Sequence, residues 1–203
     1  MPPESERDLI FTLLNVALVV DTWDDTPLGE GSGHNIGALL VDKHHQPITF
    51  ARNESTARRD LTEHAELRLI RQHIAASPGR TELNKHLIYS SLEPCAMCAG
   101  MAAMTNIARV VYAQPDPVFG GAIERLSGYP KPLTASACPD RSLAAAFTSS
   151  GHGEVIGWLP TSSARQAFSD LAATLVTFDP VHRENAIHLA NAQAFLEAPH
   201  QYP

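Results

Sequence analysis

Residues 86–114 read HLIYSSLEPCAMCAGMAAMTNIARVVYAQ, and the order of residue types within them decides the fold. HLIYSSL (His86–Leu92) and RVVYAQ (Arg109–Gln114) are rich in β-branched and aromatic residues and read as strands. CAMCAGMAAM between them is built from strong helix formers. Strand, helix, strand in that order predicts two parallel neighbours joined by a crossover.

Upstream, IGALLVD (Ile36–Asp42) and PITFARN (Pro47–Asn53) flank the turn-like KHHQ and predict an antiparallel pair. A helix is expected from Thr62 through His64, Leu67, Leu69, Ile70 and Ile74 to the Ser77-Pro78-Gly79 stop. The apolar positions Leu9, Ile10, Leu13, Leu14, Val16, Ala17 and Val20 recur at helical spacing and predict an amphipathic helix over 4–23. Downstream, residues 115–153 hold many Pro, Gly and Ser, with one short helix expected at RSLAAAF (141–147). EVIGWL (Glu154–Leu159) reads as a fifth strand, and SARQAFSDLAATL and ENAIHLANAQAFLEA read as helices. The sum is an α/β chain, a sandwich of helices around a mostly buried, mixed five-stranded sheet.

Of the 203 residues 44% are hydrophobic and 18% charged, ordinary for a globular protein, and no apolar run is long enough to span a bilayer. The acidic start MPPESERDLIF lacks the basic region of a secretory signal, so a cytoplasmic protein is expected. A net charge of −7 argues against extended contact with nucleic-acid phosphates, although Arg58, Arg59, Arg68, Arg71 and the segment Lys131–Arg141 are local basic features. The three cysteines are an odd number, and two sit in one Cys-x-x-Cys, which favours metal or redox chemistry over a disulfide framework.

Two segments carry the chemistry, TEHAEL (62–67) and LEPCAMCAGM (92–101). Cys95 and Cys98 lie three apart and project from one helix face, so both sulfurs can grip one ion. His64 and Glu66 are two apart and can reach one site only if it sits over a helix end. Two helix N-termini then favour thiolates at the site. Zinc on His64, Cys95 and Cys98 would keep a fourth tetrahedral position for water, and Glu66 is the adjacent carboxylate able to move protons. Two plainer readings compete: a redox pair, which leaves His-Ala-Glu unexplained, and a closed structural zinc site completed by Cys138 or another histidine. Cys138 otherwise reads as a free thiol, and the remaining histidines as ordinary surface or core residues.

His-x-Glu followed by Pro-Cys-x-x-Cys is the signature of the zinc deaminases. With IGALLVD, Asn53, RRDLTEHAEL, SSLEPCAMCAGM and ARVVYAQPDP, the chain resembles the cytidine and deoxycytidylate deaminase superfamily from about Ile36 to Leu175. Within it the likeness is greatest to the branch of tRNA adenosine, guanine and cytosine deaminases. The resemblance implies a three-layer α/β/α sandwich of the cytidine deaminase-like type, one Zn2+ per subunit and a homodimer. It also implies a catalytic unit over 1–175, with a zinc core at 34–114 and an irregular insertion at 115–153, followed by a helical extension over 176–203. By position it assigns His64, Cys95 and Cys98 to the metal and Glu66 to catalysis, and places Asn53, Ala65, His34 and Asn35 around the substrate. Residues 122–153 are longer than the tRNA enzymes' compact helix. The expectation is hydrolytic deamination of a nucleobase or nucleoside, a guanine-like purine first. Editing of tRNA or single-stranded nucleic acid and a catalytically silent zinc module stand as alternatives.

Overall fold

The computed structural model describes residues 1–199 except 25, 28, 80–82, 127, 129–132, 140–147, 150–154, 157–163 and 175–178. Its elements are α1 (Pro3–Asp21), β1 (Gly37–Val41), β2 (Pro47–Arg52), α2 (Ser55–Arg58), α3 (Ala65–Ala76), β3 (Leu87–Leu92), α4 (Ala96–Met104), β4 (Arg109–Gln114), α5 (Ala122–Arg125), β5 (Thr134–Ala137), β6 (Thr148–Ser149), β7 (Val155–Ile156), α6 (Ala164–Thr174) and α7 (Arg183–Glu197).

Five strands form one mixed sheet in the order β2-β1-β3-β4-β5. β1 runs antiparallel to β2 and to β3, whereas β3, β4 and β5 are parallel, with Leu87 opposite Arg109 and Leu92 opposite Gln114. The β3–α4–β4 crossover is the one expected from 86–114.

Strand alternation divides the core in two. Leu39, Val41, Phe50, Leu87, Tyr89, Val111 and Ala113 pack against α1 on one face. Ala38, Leu40, Ala51, Ile88 and Val110 pack on the other against Leu69 and Ile70 of α3 and Ala99, Ala102 and Ala103 of α4. These are the three layers of an α/β/α sandwich.

Three expectations are corrected. The amphipathic reading of the first helix fails, because every residue from Asp8 to Val20 is buried. α6 and α7 lie against its outer side, contributing Phe168 and Ala192 to the same core, so α1 has no solvent face over Asp8–Val20. Two of its buried polar residues tie it to the sheet: Tyr89 Oη donates to Asp8 at 2.9 Å, and Asn15 Nδ2 donates to the Gly37 carbonyl at 3.2 Å. Second, the fifth strand comes from inside the segment read as irregular. It is β5 (Thr134–Ala137), whereas Val155–Ile156 of EVIGWL forms a separate antiparallel pair with β6. TASA has no apolar alternation, and its position at the sheet edge is set by tertiary pairing. Third, the helix expected from Thr62 starts at Ala65. The helix proposed at 141–147 lies outside the described residues. Among the described residues no helix is long and apolar enough to cross a membrane.

The last helix is anchored to the first through one carboxylate. Glu6 accepts from the backbone N–H groups of Val181 (2.8 Å) and His182 (3.3 Å) and from Asn185 Nδ2 (2.7 Å), next to the N-terminus of α7. Burial pushes the Glu6 carboxyl up, but these donors outweigh it and hold it below the usual carboxylate range. A depressed carboxylate stabilises the fold fully above its unfolded pKa of about 4.3 and loses that contribution as pH falls through the native value. Glu6→Ala is therefore expected to cost about 1–3 kcal/mol at neutral pH in urea unfolding, and the gap to wild type should close below about pH 4.

Candidate metal centre

α3 and α4 both start at the carboxyl ends of strands, and each places a ligand at its N-cap. His64 precedes α3 in extended conformation (φ −69°, ψ 151°), and Cys95 does the same before α4 (φ −68°, ψ 173°). Neither side chain caps its own helix. Cys95 and Cys98 hold the N-cap and third helical positions, the spacing at which side chains meet over a helix start. Because His64 stands outside the helix and Glu66 inside its first turn, the two approach the same point despite being two residues apart.

Cys95 Sγ and Cys98 Sγ are 3.7 Å apart, and each lies 3.6 Å from His64 Nδ1. A tetrahedral zinc with Zn–S of about 2.3 Å and Zn–N of about 2.05 Å requires edges of about 3.8 Å between sulfurs and about 3.6 Å from sulfur to nitrogen. The three atoms already occupy three corners of that tetrahedron. Among the described residues they are the group of metal-ligating side chains that converges in this way. Cys138 cannot close the site, because it packs in the α1 layer across the sheet. It forms no disulfide, and neither do Cys95 and Cys98.

The protons of the group fit cation binding. A hydrogen bond from Cys98, with a further contribution from His64, pulls the Cys95 thiol down to about 4 against burial. Cys98 is pushed far up by that shared proton, by burial and by the charge of Glu66. The Cys95 contact raises His64, and burial raises Glu66. A dication needs both thiolates and a neutral imidazole, so it displaces the proton held on Cys98.

Glu66 is buried beside the sulfurs. Its Oε2 is 3.3 Å from Cys98 Sγ, and its Oε1 accepts from Ser90 Oγ at 3.1 Å. A cavity of about 120 Å³ opens over the group, walled by His34, Ile36 and Asn53 on one side and by Leu92, Glu93, Asp116 and Phe119 on the other. It lies outside the carboxyl ends of β3 and β4, where open α/β sheets hold ligands.

The residues expected around the substrate separate here. His34 and Asn53 line the cavity. Asn53 Oδ1 accepts from Ser55 N (3.0 Å) and Ser55 Oγ (2.9 Å). A backbone N–H can only donate, which fixes the amide orientation and leaves the Nδ2 donor for the cavity. Gly33 (φ +138°) closes the other side, since a Cβ there would fall 2.4 Å from Oδ1. Ala65 is buried in the first turn of α3. Asn35 does not line the cavity: its Oδ1 accepts from Asp24 N and Arg52 Nη2, and its Nδ2 donates to the Asp24 carbonyl, tying the 24–35 loop to the sheet.

The far wall was not foreseen from sequence. Glu93 accepts from the N–H groups of Asp116 (3.2 Å) and Gly121 (2.8 Å), and Asp116 Oδ1 accepts from those of Val118 and Phe119. The braced loop holds Phe119 at the mouth, 61% exposed. Polar residues beside the signature, Glu93 in LEPC and Asp116 in QPDP, were the available signal.

The region over 19–114 matches the family model for the cytidine and deoxycytidylate deaminase zinc-binding region. A solved structure from work on A-to-I editing by wobble-position tRNA deaminases is 32% identical, the match covering 55% of this chain and 83% of that one at a TM-score of 0.48. This chain belongs to the cytidine deaminase superfamily. Other family members with similar sequences are a tRNA-specific adenosine deaminase of Agrobacterium fabrum, 38% identical over 47% of this chain and 61% of that protein, and a probable cytosine deaminase of Schizosaccharomyces pombe, 34% identical over 53% and 60%. The chain spans less than two thirds of the length of the curated relatives it matches. Family and geometry agree on zinc as the resident ion.

Loading zinc at pH 7 should release about one proton per chain from Cys98, plus a fraction from His64, measurable by calorimetry in buffers of different ionisation enthalpy. Cys95→Ala should abolish stoichiometric zinc and lower Tm, with apparent affinity in the parent falling as pH drops below 7.

Proposed function

We propose that this protein is a zinc-dependent hydrolytic deaminase that replaces the exocyclic amine of a nucleobase or nucleoside by a carbonyl oxygen and releases ammonia. The reading is carried by one observation: a buried carboxylate, Glu66, stands beside a three-ligand metal group that faces a cavity. A structural metal site has no use for that carboxylate. Zinc, when held by His64, Cys95 and Cys98, would make a water at the site more acidic, from about 15.7 toward about 7. Glu66, lining the cavity beside Cys98, would take a proton from the attacking water and deliver it to the ring nitrogen beside the attacked carbon, then to the departing amine. Its burial raises its affinity for the proton in transit. Asn53 orients the ring by donating from Nδ2 to a ring nitrogen or carbonyl, and Phe119 offers a flat apolar wall.

Among the described residues no lysine or arginine lines the cavity, while Glu93 and Asp116 do. This supports an uncharged base or nucleoside over a phosphate-bearing substrate. A guanine-like purine is favoured, since its ring nitrogens and carbonyl offer acceptors to Asn53. The names of the tRNA-acting relatives favour a second reading, base editing in RNA. Against it, Arg58 and Arg68 pair with Glu54 and Glu63, and Arg71 pairs with Glu63, so two carboxylates offset most of the charge of these three cations.

Zinc-loaded protein incubated with guanine, cytosine, adenine and their nucleosides should release ammonia from at least one; silence across the set with zinc bound would remove the reading. Glu66→Ala should lower kcat about 10²- to 10⁴-fold with zinc content retained. Asn53→Asp keeps the acceptor toward Ser55 but replaces the cavity's donor, so KM should rise about 10- to 100-fold without loss of metal.

A further inference from the structure

The two serines at the end of β3 face opposite sides of the sheet and do different things. Ser91 Oγ accepts from the backbone N–H of Gly37, a bond within the fold. Ser90 faces the zinc layer with Ile88, beside its cross-strand neighbour Ala38, and is fully buried. The buried apolar side chains around it are alanine, leucine, isoleucine and valine. A hydroxyl there is destabilising unless it is bonded, and its bond goes to Glu66 Oε1 at 3.1 Å.

We propose that Ser90 is a positioning residue for Glu66, pinning Oε1 so that Oε2, 3.3 Å from Cys98 Sγ, is the oxygen turned toward the reacting groups. A terminal carboxylate torsion is broad and two-fold, so an unpinned Glu66 exchanges its oxygens. A proton shuttle acts twice in one turnover, first accepting from water and then donating to the substrate nitrogen, and needs the same oxygen at the same place both times. Ser90 keeps its own proton throughout; the proton that moves enters and leaves Oε2. The rigid β3 backbone, paired on both sides with β1 and β4, fixes the serine and through it the carboxylate.

This rests on the deaminase reading, and the test separates the two. Wild type, Ser90→Ala and Ser90→Thr are loaded with zinc and assayed for kcat and KM separately on each of guanine, cytosine, adenine and their nucleosides from which wild type releases ammonia. Zinc per chain, Tm and the visible spectrum of the cobalt-substituted protein are measured on each. Ser90→Ala should lose about 10- to 100-fold in kcat with KM, metal content, cobalt spectrum and Tm unchanged, and Ser90→Thr, which keeps the hydroxyl, should recover most of the rate. A Ser90→Ala enzyme as fast as wild type overturns the positioning role alone. So does a rate loss accompanied by a shifted cobalt spectrum, lost zinc or lowered Tm, which would make Ser90 a support of the metal group or the core. A zinc-loaded wild type silent on guanine, cytosine, adenine and all their nucleosides overturns the deaminase reading and this role with it.

Discussion

Two helix starts meeting over the carboxyl ends of parallel strands are the constraint on which this molecule turns. Three atoms, one nitrogen and two sulfurs, are held at the edge lengths of a zinc tetrahedron because His64 and Cys95 are N-cap residues of neighbouring helices. Helix N-termini carry unpaired N–H groups and a positive dipole end, so the place that gathers the ligands also favours their anionic forms. Shifting either helix start by one residue would swing its ligand away from the common point.

The opposite face explains how so small a chain holds that geometry still. α1 is enclosed by the sheet on one side and by α6 and α7 on the other, and a helix buried all round cannot be displaced without opening the core. The polar groups along it are joints. Asp8 binds Tyr89 and pairs with Arg109, Asn15 reaches the start of β1, and Glu6 gathers the donors ahead of α7. Each joins α1 to a different part of the structure, and the strands they brace carry Ser90 and the two helix starts on their other side.

Charge around the cavity sets the chemistry it can accept. Two carboxylates, Glu93 and Asp116, are occupied with backbone donors of the loop they brace, so they shape the wall without offering a free acceptor to a ligand on those bonds. The Asn53 amide is fixed by Ser55 and Gly33 with its donor left over. Arg58, Arg68 and Arg71 share the carboxylates of Glu54 and Glu63. What remains is a small cleft with one oriented amide, an aromatic rim and a buried carboxylate over the metal group.

The amino-acid sequence by itself determined the strand–helix–strand core, the antiparallel β1–β2 pair, the family and the metal group with Glu66. Each of these is written in local spacing: apolar alternation, a Cys-x-x-Cys, and a His-x-Glu ahead of a helix. Only the tertiary structure decided the rest. TASA became the fifth strand because β4 offered it an open edge, an environment that no local propensity contains. α1 lost its solvent face because helices more than 140 residues away in sequence fold over it. Asn35 left the cavity and Ser90 entered the site because hydrogen-bond partners 11 and 24 residues distant are chosen by packing, to which local sequence spacing is blind.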